Sequence, residues 1–208
     1  MLKIYPMPLG AYQTNCYILS NEDQSLIVDP GDEAHKIITY LETKGLKPVS
    51  IFITHGHLDH IGALKEVQAK YQISVYAHQD ETEYFTNSKY NFSANSRTPI
   101  EFGDLSAFNF IEEDGIIELL DQKIDVRHVP GHSPGSIALY FEDNGIVMVG
   151  DALFKGSIGR TDFPNGNHKQ LIDNIETKLF TLPDSTIVYP GHGPATTIGD
   201  EKRMNPFF

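Results

Sequence analysis

Thr54-His55-Gly56-His57-Leu58-Asp59-His60-Ile61-Gly62 places four metal-capable side chains within six positions, directly after the apolar run Val49-Ser50-Ile51-Phe52-Ile53. Imidazole and carboxylate are the usual nitrogen and oxygen donors to zinc and neighbouring metals, whereas a stretch selected for packing alone has no use for titratable groups at alternate positions beside a buried strand. His55 and His57 are two apart, so an extended backbone points both to one side. Asp59 and His60 fall where Leu58 to Leu64 takes up a helical apolar rhythm, which predicts them on a first helical turn, aimed elsewhere. One motif can therefore feed two adjacent metal positions. The bland alternative, a histidine-rich surface loop, suits a lone histidine better than this cluster.

Three more donors follow an apolar run and a breaker. Val126-Arg127-His128-Val129-Pro130 runs into Gly131-His132-Ser133, Ile146-Val147-Met148-Val149-Gly150 into Asp151, and Ile187-Val188-Tyr189-Pro190 into Gly191-His192-Gly193. With the histidine motif, this makes four strands that deliver ligands just past their ends, where open α/β sheets carry functional loops. Five histidines and two aspartates suffice for two metals with three private ligands each and one shared carboxylate. The expected assignment is His55, His57 and His132 on the first metal, Asp59, His60 and His192 on the second, and Asp151 between them. Two divalent ions are the expected cofactors, zinc first, although the same donors accept iron or manganese. His35, His78, His128 and His168 read as surface or core residues, with His128 facing away from the His132 loop.

The elements that must position these groups alternate along the chain. Residues 2–29 read as short strands, with Tyr17-Ile18-Leu19 and Ser25-Leu26-Ile27-Val28 forming a hairpin about the turn-prone Ser20-Asn21-Glu22-Asp23. A helix is predicted from Glu33 to Lys44, a strand from Val49 to Thr54, a helix from about Ala63 to Tyr71 and a strand over Ser74 to Ala77. Glu81 to Gly103 lacks a period and reads as a long ordered loop near a pocket. Strands return at Ala107–Glu112, Gly115–Leu119, Ile124–Val129, Ser136–Phe141 and Gly145–Val149. A helix over His168–Phe180, a last strand at Thr186–Tyr189 and at most a short helix after Asp200 complete a layered α/β reading, with one domain over residues 1–208.

Sixteen basic against twenty-eight acidic residues give a formal charge of −12, which repels phosphate backbones and makes nucleic acid a poor partner. No apolar run approaches the roughly 18 residues needed to cross a bilayer, and the start lacks a secretory pattern, so no membrane partner and a cytosolic location are expected. Cys16 is the only cysteine and reads as a small buried hydrophobe.

Thr54 to Gly62, Gly131-His132-Ser133-Pro134-Gly135, Gly150-Asp151 and Gly191-His192-Gly193, in this order, resemble the metallo-β-lactamase superfamily over essentially the whole chain. The resemblance implies a four-layer αββα sandwich with a dinuclear site at one edge. It also implies that Asp29 is a carboxylate behind the metals, orienting a ligand histidine. Within the superfamily, Gly150 to Phe154, Ser157 to Phe163 and the ending from Thr196 are most similar to glyoxalase II and its short bacterial relatives. That likeness implies a thioester hydrolase for a small-molecule substrate, with a metal-bridging hydroxide as nucleophile, Asp59 as ligand and proton acceptor, and Arg160 and Phe163 near the substrate. Long glyoxalase II enzymes carry a basic C-terminal domain for glutathione, and no such domain is expected here. Two rivals are weighed: a mononuclear iron persulfide dioxygenase, which shares a stretch like Gly159 to Phe163, and a metal-stapled binding module without catalysis. Leu58-Asp59-His60-Ile61-Gly62-Ala63 is more like the dinuclear hydrolases, and seven donors exceed the four that normally close a structural zinc site.

Overall fold

Apolar runs in the first half of the chain assemble into one sheet in the computed structural model, which describes residues 2–208. The chain divides into two compact units, Met1–Ile111 and Glu112–Phe208, each with its own sheet and core.

In the first unit, β1 (Lys3–Leu9), β2 (Thr14–Asn21) and β3 (Gln24–Val28) form an antiparallel meander. Parallel strands β4 (Lys47–Phe52), β5 (Ser74–His78) and β6 (Phe108–Ile111) extend it in sequence order. β2 is buried over nearly its whole length, whereas β1 is the edge strand and carries Pro6 and Pro8, residues that cannot donate to a ladder. The crossover from β3 to β4 is α1 (Ala34–Lys44), whose Ile37 and Leu41 face the core; Gly45 ends it with φ +66°, its N–H bonded to the Glu42 and Leu41 carbonyls. Between β4 and β5 lie the single turn α2 (Leu58–Ile61) and α3 (Leu64–Tyr71). Ile18, Ile27, Ile37, Ile51, Val67 and Phe85 form part of this unit's apolar core.

The aperiodic Glu81–Gly103 stretch is ordered by its own hydrogen bonds. It opens with α4 (Thr82–Thr86) and then closes around Asn91, which is fully buried. Asn91 Nδ2 donates to the carbonyls of Tyr84 (2.7 Å) and Ile100 (2.9 Å), and its Oδ1 accepts from Ser93 N at 3.0 Å. A side chain that satisfies three main-chain groups substitutes for the missing helix or ladder, and nothing in the local period announces it. Asn91→Ala leaves these groups unmatched, at about 1–3 kcal/mol each where burial persists. The expected loss is roughly 3 kcal/mol in urea unfolding; a loss below about 0.5 kcal/mol would show that the segment is held by something else.

In the second unit, β7 (Gly115–Leu119), β8 (Gln122–His128), β9 (Ile137–Phe141) and β10 (Ile146–Gly150) run antiparallel. A small ribbon follows, β11 (Leu153–Phe154) with β12 (Ser157–Ile158). α5 (His168–Asn174) then leads to β13 (Ile187–Pro190), parallel to β10, and to β14 (Thr196–Thr197) at the edge; α6 (Ile198–Met204) comes last. The helix expected over 168–180 is α-helical only to Asn174 and continues as a π-helical segment, Ile175–Leu179. Leu171, Ile175 and Leu179 are all fully buried in this unit's core with Val147 and Val188. Two sheets with helices match the α/β class that the sequence predicts. Among the described residues no helix is long and apolar enough to cross a membrane.

Candidate metal centre

β4 delivers its apolar residues to the core and ends at Phe52, so the next residues leave the sheet at its carboxyl edge. His55 and His57 follow, His57 in extended backbone, and the chain turns at once into α2, where His60 N donates to His57 O at 2.9 Å. The three imidazoles lie together: ring centroids of His55 are 4.6 Å from His57 and 4.0 Å from His60, and all three side chains are buried. Their orientation is set from behind. Asp29 Oδ2 stands 2.9 Å from His60 Nδ1 and accepts from Thr54 Oγ1 at 2.6 Å, while Asp29 Oδ1 accepts from Thr54 N at 2.7 Å. Thr54 Oγ1 is in turn 3.2 Å from His55 Nδ1. With Nδ1 committed to Asp29, the ring of His60 presents Nε2 forward, the usual arrangement behind a metal-binding histidine. Asp29 adopts φ +51°, which a non-glycine residue keeps only where its surroundings hold it, here three hydrogen bonds to a buried carboxylate.

Asp59 is fixed from the other side, its Oδ2 accepting from Thr14 Oγ1 at 2.7 Å. Gly31 is required beneath it, because a Cβ there would lie 1.8 Å from the Asp59 carbonyl oxygen. Sequence reasoning missed Thr14, Thr54 and Glu81; the last is fully buried and accepts from Gly56 N at 2.7 Å. Glu81 stands far along the chain from the motif it supports, and no local spacing links the two. The Glu81–Gly103 segment also lines the motif: Phe92 and Tyr84 rings lie 4.9 Å and 5.6 Å from His57, and Leu58 N donates to Asn91 O at 2.9 Å.

In the second unit, β10 and β13 are neighbours, and beyond their ends Gly191 N donates to Gly150 O at 2.7 Å, setting Asp151 and His192 side by side. Asp151 Oδ2 is 3.5 Å from His192 Nε2 and 3.7 Å from His132 Nε2. His132 follows Gly131, whose φ of +136° and contact with Leu171 in the middle of α5 admit no side chain. His132 Nδ1 is 2.8 Å from the Arg160 carbonyl, so the donor is again held by its far nitrogen.

These separations test the fit to a metal. Two ligand atoms each about 2.1 Å from one tetrahedral zinc are about 3.4 Å apart. The Asp151 distances of 3.5 and 3.7 Å, and 3.7 Å from His60 Nε2 to Asp59 Oδ2, exceed good hydrogen bonds and sit near that value. Histidine and aspartate clusters of this make-up can hold divalent metals.

The remaining expected site residues are placed differently. The Arg160 guanidinium makes a two-pronged pair with Asp162, 2.9 Å at each contact, and lies 4.2 Å over the Phe163 ring. The pair is exposed, so it stabilises little. Phe163 stands edge-on to His132, ring centroids 6.1 Å apart. His128 does not face away from the His132 loop. Its Nε2 is 2.8 Å from the Pro134 carbonyl, because the β8–β9 connection folds back over its own strand end. Ser133 is fully buried against Ser136 Oγ at 2.7 Å, consistent with a structural hydroxyl. Cys16 is buried too; burial, then the Asp29 charge, holds its thiol well above the usual range.

The family model described as the metallo-β-lactamase superfamily matches residues 9–192. The chain belongs to this superfamily. Among relatives, it is 46% identical to the probable metallo-hydrolase YqgX of Bacillus subtilis over 97% of this chain and 95% of that protein. It is 36% identical to the hydroxyacylglutathione hydrolase GloC of Haemophilus influenzae, over 99% and 98%. Among solved structures, the BLEG-1 B3 metallo-β-lactamase superposes with a TM-score of 0.93 at 39% identity, covering 100% of this chain and 99% of that one. TTHA1623 in a di-iron-bound form superposes at 0.86 and 35%, covering 98% and 100%. The α/β fold of this chain is thus the metallo-β-lactamase fold, and the superfamily supports a metal-dependent hydrolase.

Proposed function

We propose that this chain acts as one domain, a cytosolic dinuclear metal hydrolase that cleaves small-molecule thioesters of the hydroxyacylglutathione kind. His55, His57 and His132 would hold one ion, Asp59, His60 and His192 the other, with Asp151 common to both. Zinc is the first choice, although a relative in a di-iron form makes iron a fair rival. The observation that carries the proposal is the set of donors held from behind at co-ligand spacing, in a chain with a hydroxyacylglutathione hydrolase among its relatives.

A bound divalent pair would supply Lewis acidity, lowering the pKa of water towards neutrality and polarising a carbonyl. The protein's share is orientation and proton handling. Asp29 accepts a hydrogen bond from the Nδ1–H of His60, which keeps the proton on Nδ1 and leaves the lone pair on Nε2, and the Arg160 carbonyl accepts from the Nδ1–H of His132 in the same way. Asp59, its Oδ2 accepting from the Thr14 hydroxyl, is the carboxylate that would receive the proton of the attacking water. A thiolate leaves without a strong protein acid, because its conjugate acid, a thiol, is a far stronger acid than the alcohol that an alkoxide leaving group would form. Phe163 and Arg160 would bound the acyl end near His132.

Freshly purified protein should contain two divalent ions per chain and release thiol from lactoyl-glutathione. Its preference for glutathione over other thiols is expected to stay below about 10³ in kcat/KM, or roughly 4 kcal/mol of transition-state binding. One tightly held iron with oxygen uptake would replace this reading with persulfide dioxygenation. Loss of a cephalosporin chromophore without thiol release would replace it with lactam hydrolysis, which the likeness to a B3 enzyme makes the natural control.

A further inference from the structure

A cleft of about 430 Å³ opens beside Asp59 in the first unit, within the size range of small-molecule sites. Its walls come from the β1–β2 turn, with Tyr12, and from the Glu81–Gly103 segment, with Arg97 and Thr98; Asp32 lies at its rim. Arg97 is distinctive in charge. Of the four arginines, Arg127 is paired with Asp125, Arg160 with Asp162 and Arg203 with Asp200. Among the described residues, Arg97 is the arginine without a carboxylate partner, on a protein of net charge −12. Asp32, on the same cleft, spends Oδ1 on Glu33 N rather than on Arg97.

We infer that this cleft binds the carboxylate-bearing arm of the substrate, with the Arg97 guanidinium as its anchor and Tyr12 and Thr98 flanking it. Resting on the thioesterase reading, this inference adds the substrate class: thioesters carrying a carboxylate on the side that extends past Asp59. A planar guanidinium matches a carboxylate through two parallel hydrogen bonds, which lysine cannot reproduce. Asp32 opposes the same ligand through its charge, so the two residues give opposite predictions.

The test compares KM values of metal-loaded wild type, Arg97→Glu, Arg97→Lys and Asp32→Asn. The substrates are lactoyl-glutathione, a lactoyl thioester of the neutral thiol N-acetylcysteamine, and a succinyl thioester of that same thiol. Arg97→Glu should raise KM for an anionic thioester about tenfold more than for the neutral one, with kcat changed less than about threefold, the pattern of lost uniform binding. Arg97→Lys should recover part of the loss, and Asp32→Asn should lower the anionic KM. Whether lactoyl-glutathione or the succinyl thioester responds shows which arm, thiol or acyl, occupies the cleft. Equal changes for anionic and neutral substrates would overturn the inference. Calorimetric binding of glutathione and of succinate to the same proteins separates it from the function above. Should no thioester be hydrolysed, the thioesterase reading falls, while weaker binding of either probe to Arg97→Glu still supports the cleft and unchanged binding of both refutes it.

Discussion

Asp151→Ala is expected to lower kcat for thioester hydrolysis by at least about 10³, roughly 4 kcal/mol in the barrier, and to reduce metal content at both positions. The size follows from the proposed sharing of Asp151: one carboxylate oxygen stands 3.5 Å from His192 Nε2 and 3.7 Å from His132 Nε2, so a single substitution would take a donor from each position. Truncating His192 alone removes a ligand from one position only and should leave the other filled. Asp151→Asn, which keeps the shape and loses the charge, should fall between wild type and alanine in metal content. Elemental analysis beside single-turnover thiol release gives the answer. A folded alanine variant holding two ions and turning over at the wild-type rate would refute the shared role of Asp151.

The second large effect belongs to a residue expected to touch no metal. Asp29→Ala removes the buried acceptor of Thr54 N, Thr54 Oγ1 and His60 Nδ1, leaving Thr54 Oγ1 only its 3.2 Å contact with His55 Nδ1. Leaving several buried groups unmatched predicts a stability loss of about 3 kcal/mol or more in the metal-free protein. Without its carboxylate, His60 also loses the partner that sets its tautomer, so metal affinity should drop about 10–100-fold in chelator competition. Asp29→Gly discriminates between backbone and side chain. Because φ at this position is +51°, glycine relieves strain that alanine retains, and should be less damaging by about 1 kcal/mol. Equal losses for both variants would mean that the backbone there is unstrained; no loss for either would remove Asp29 from the account of the site.

How far the sequence revealed these features depended on how locally each is encoded. The His55–His60 cluster was legible because a period of two turning into a helical rhythm places donors on known sides of known elements, and α1, β2 to β5 and β7 to β10 follow their apolar periods closely. The two-residue strands of β11, β12 and β14 were not, since they are too short to have a period and exist only by pairing, β11 with β12 and β14 with the edge of β13. The π-helical turn at Ile175 was equally hidden: Leu171, Ile175 and Leu179 recur every four residues, a spacing an α-helix also satisfies. Thr14 and Glu81 support Asp59 and Gly56 from 45 and 25 residues away, and side-chain bonds over such separations leave no mark on local patterning. His128 was misjudged because strand alternation sets which face a side chain leaves from, but not where the following loop returns.

The buried thiol of Cys16 gives the strand that carries Thr14 a built-in reporter. Cys16 and Thr14 lie two apart on β2 and so share a face of it, and Thr14 is the residue that holds Asp59. A thiol kept protonated and out of solvent does not exchange with disulfide reagents while the strand is in place. The reagents that detect thiol released from a thioester therefore see product alone in the folded enzyme. In protein left with such a reagent, slow labelling of Cys16 would time the openings of β2, the same openings that release Asp59 from its hydroxyl partner.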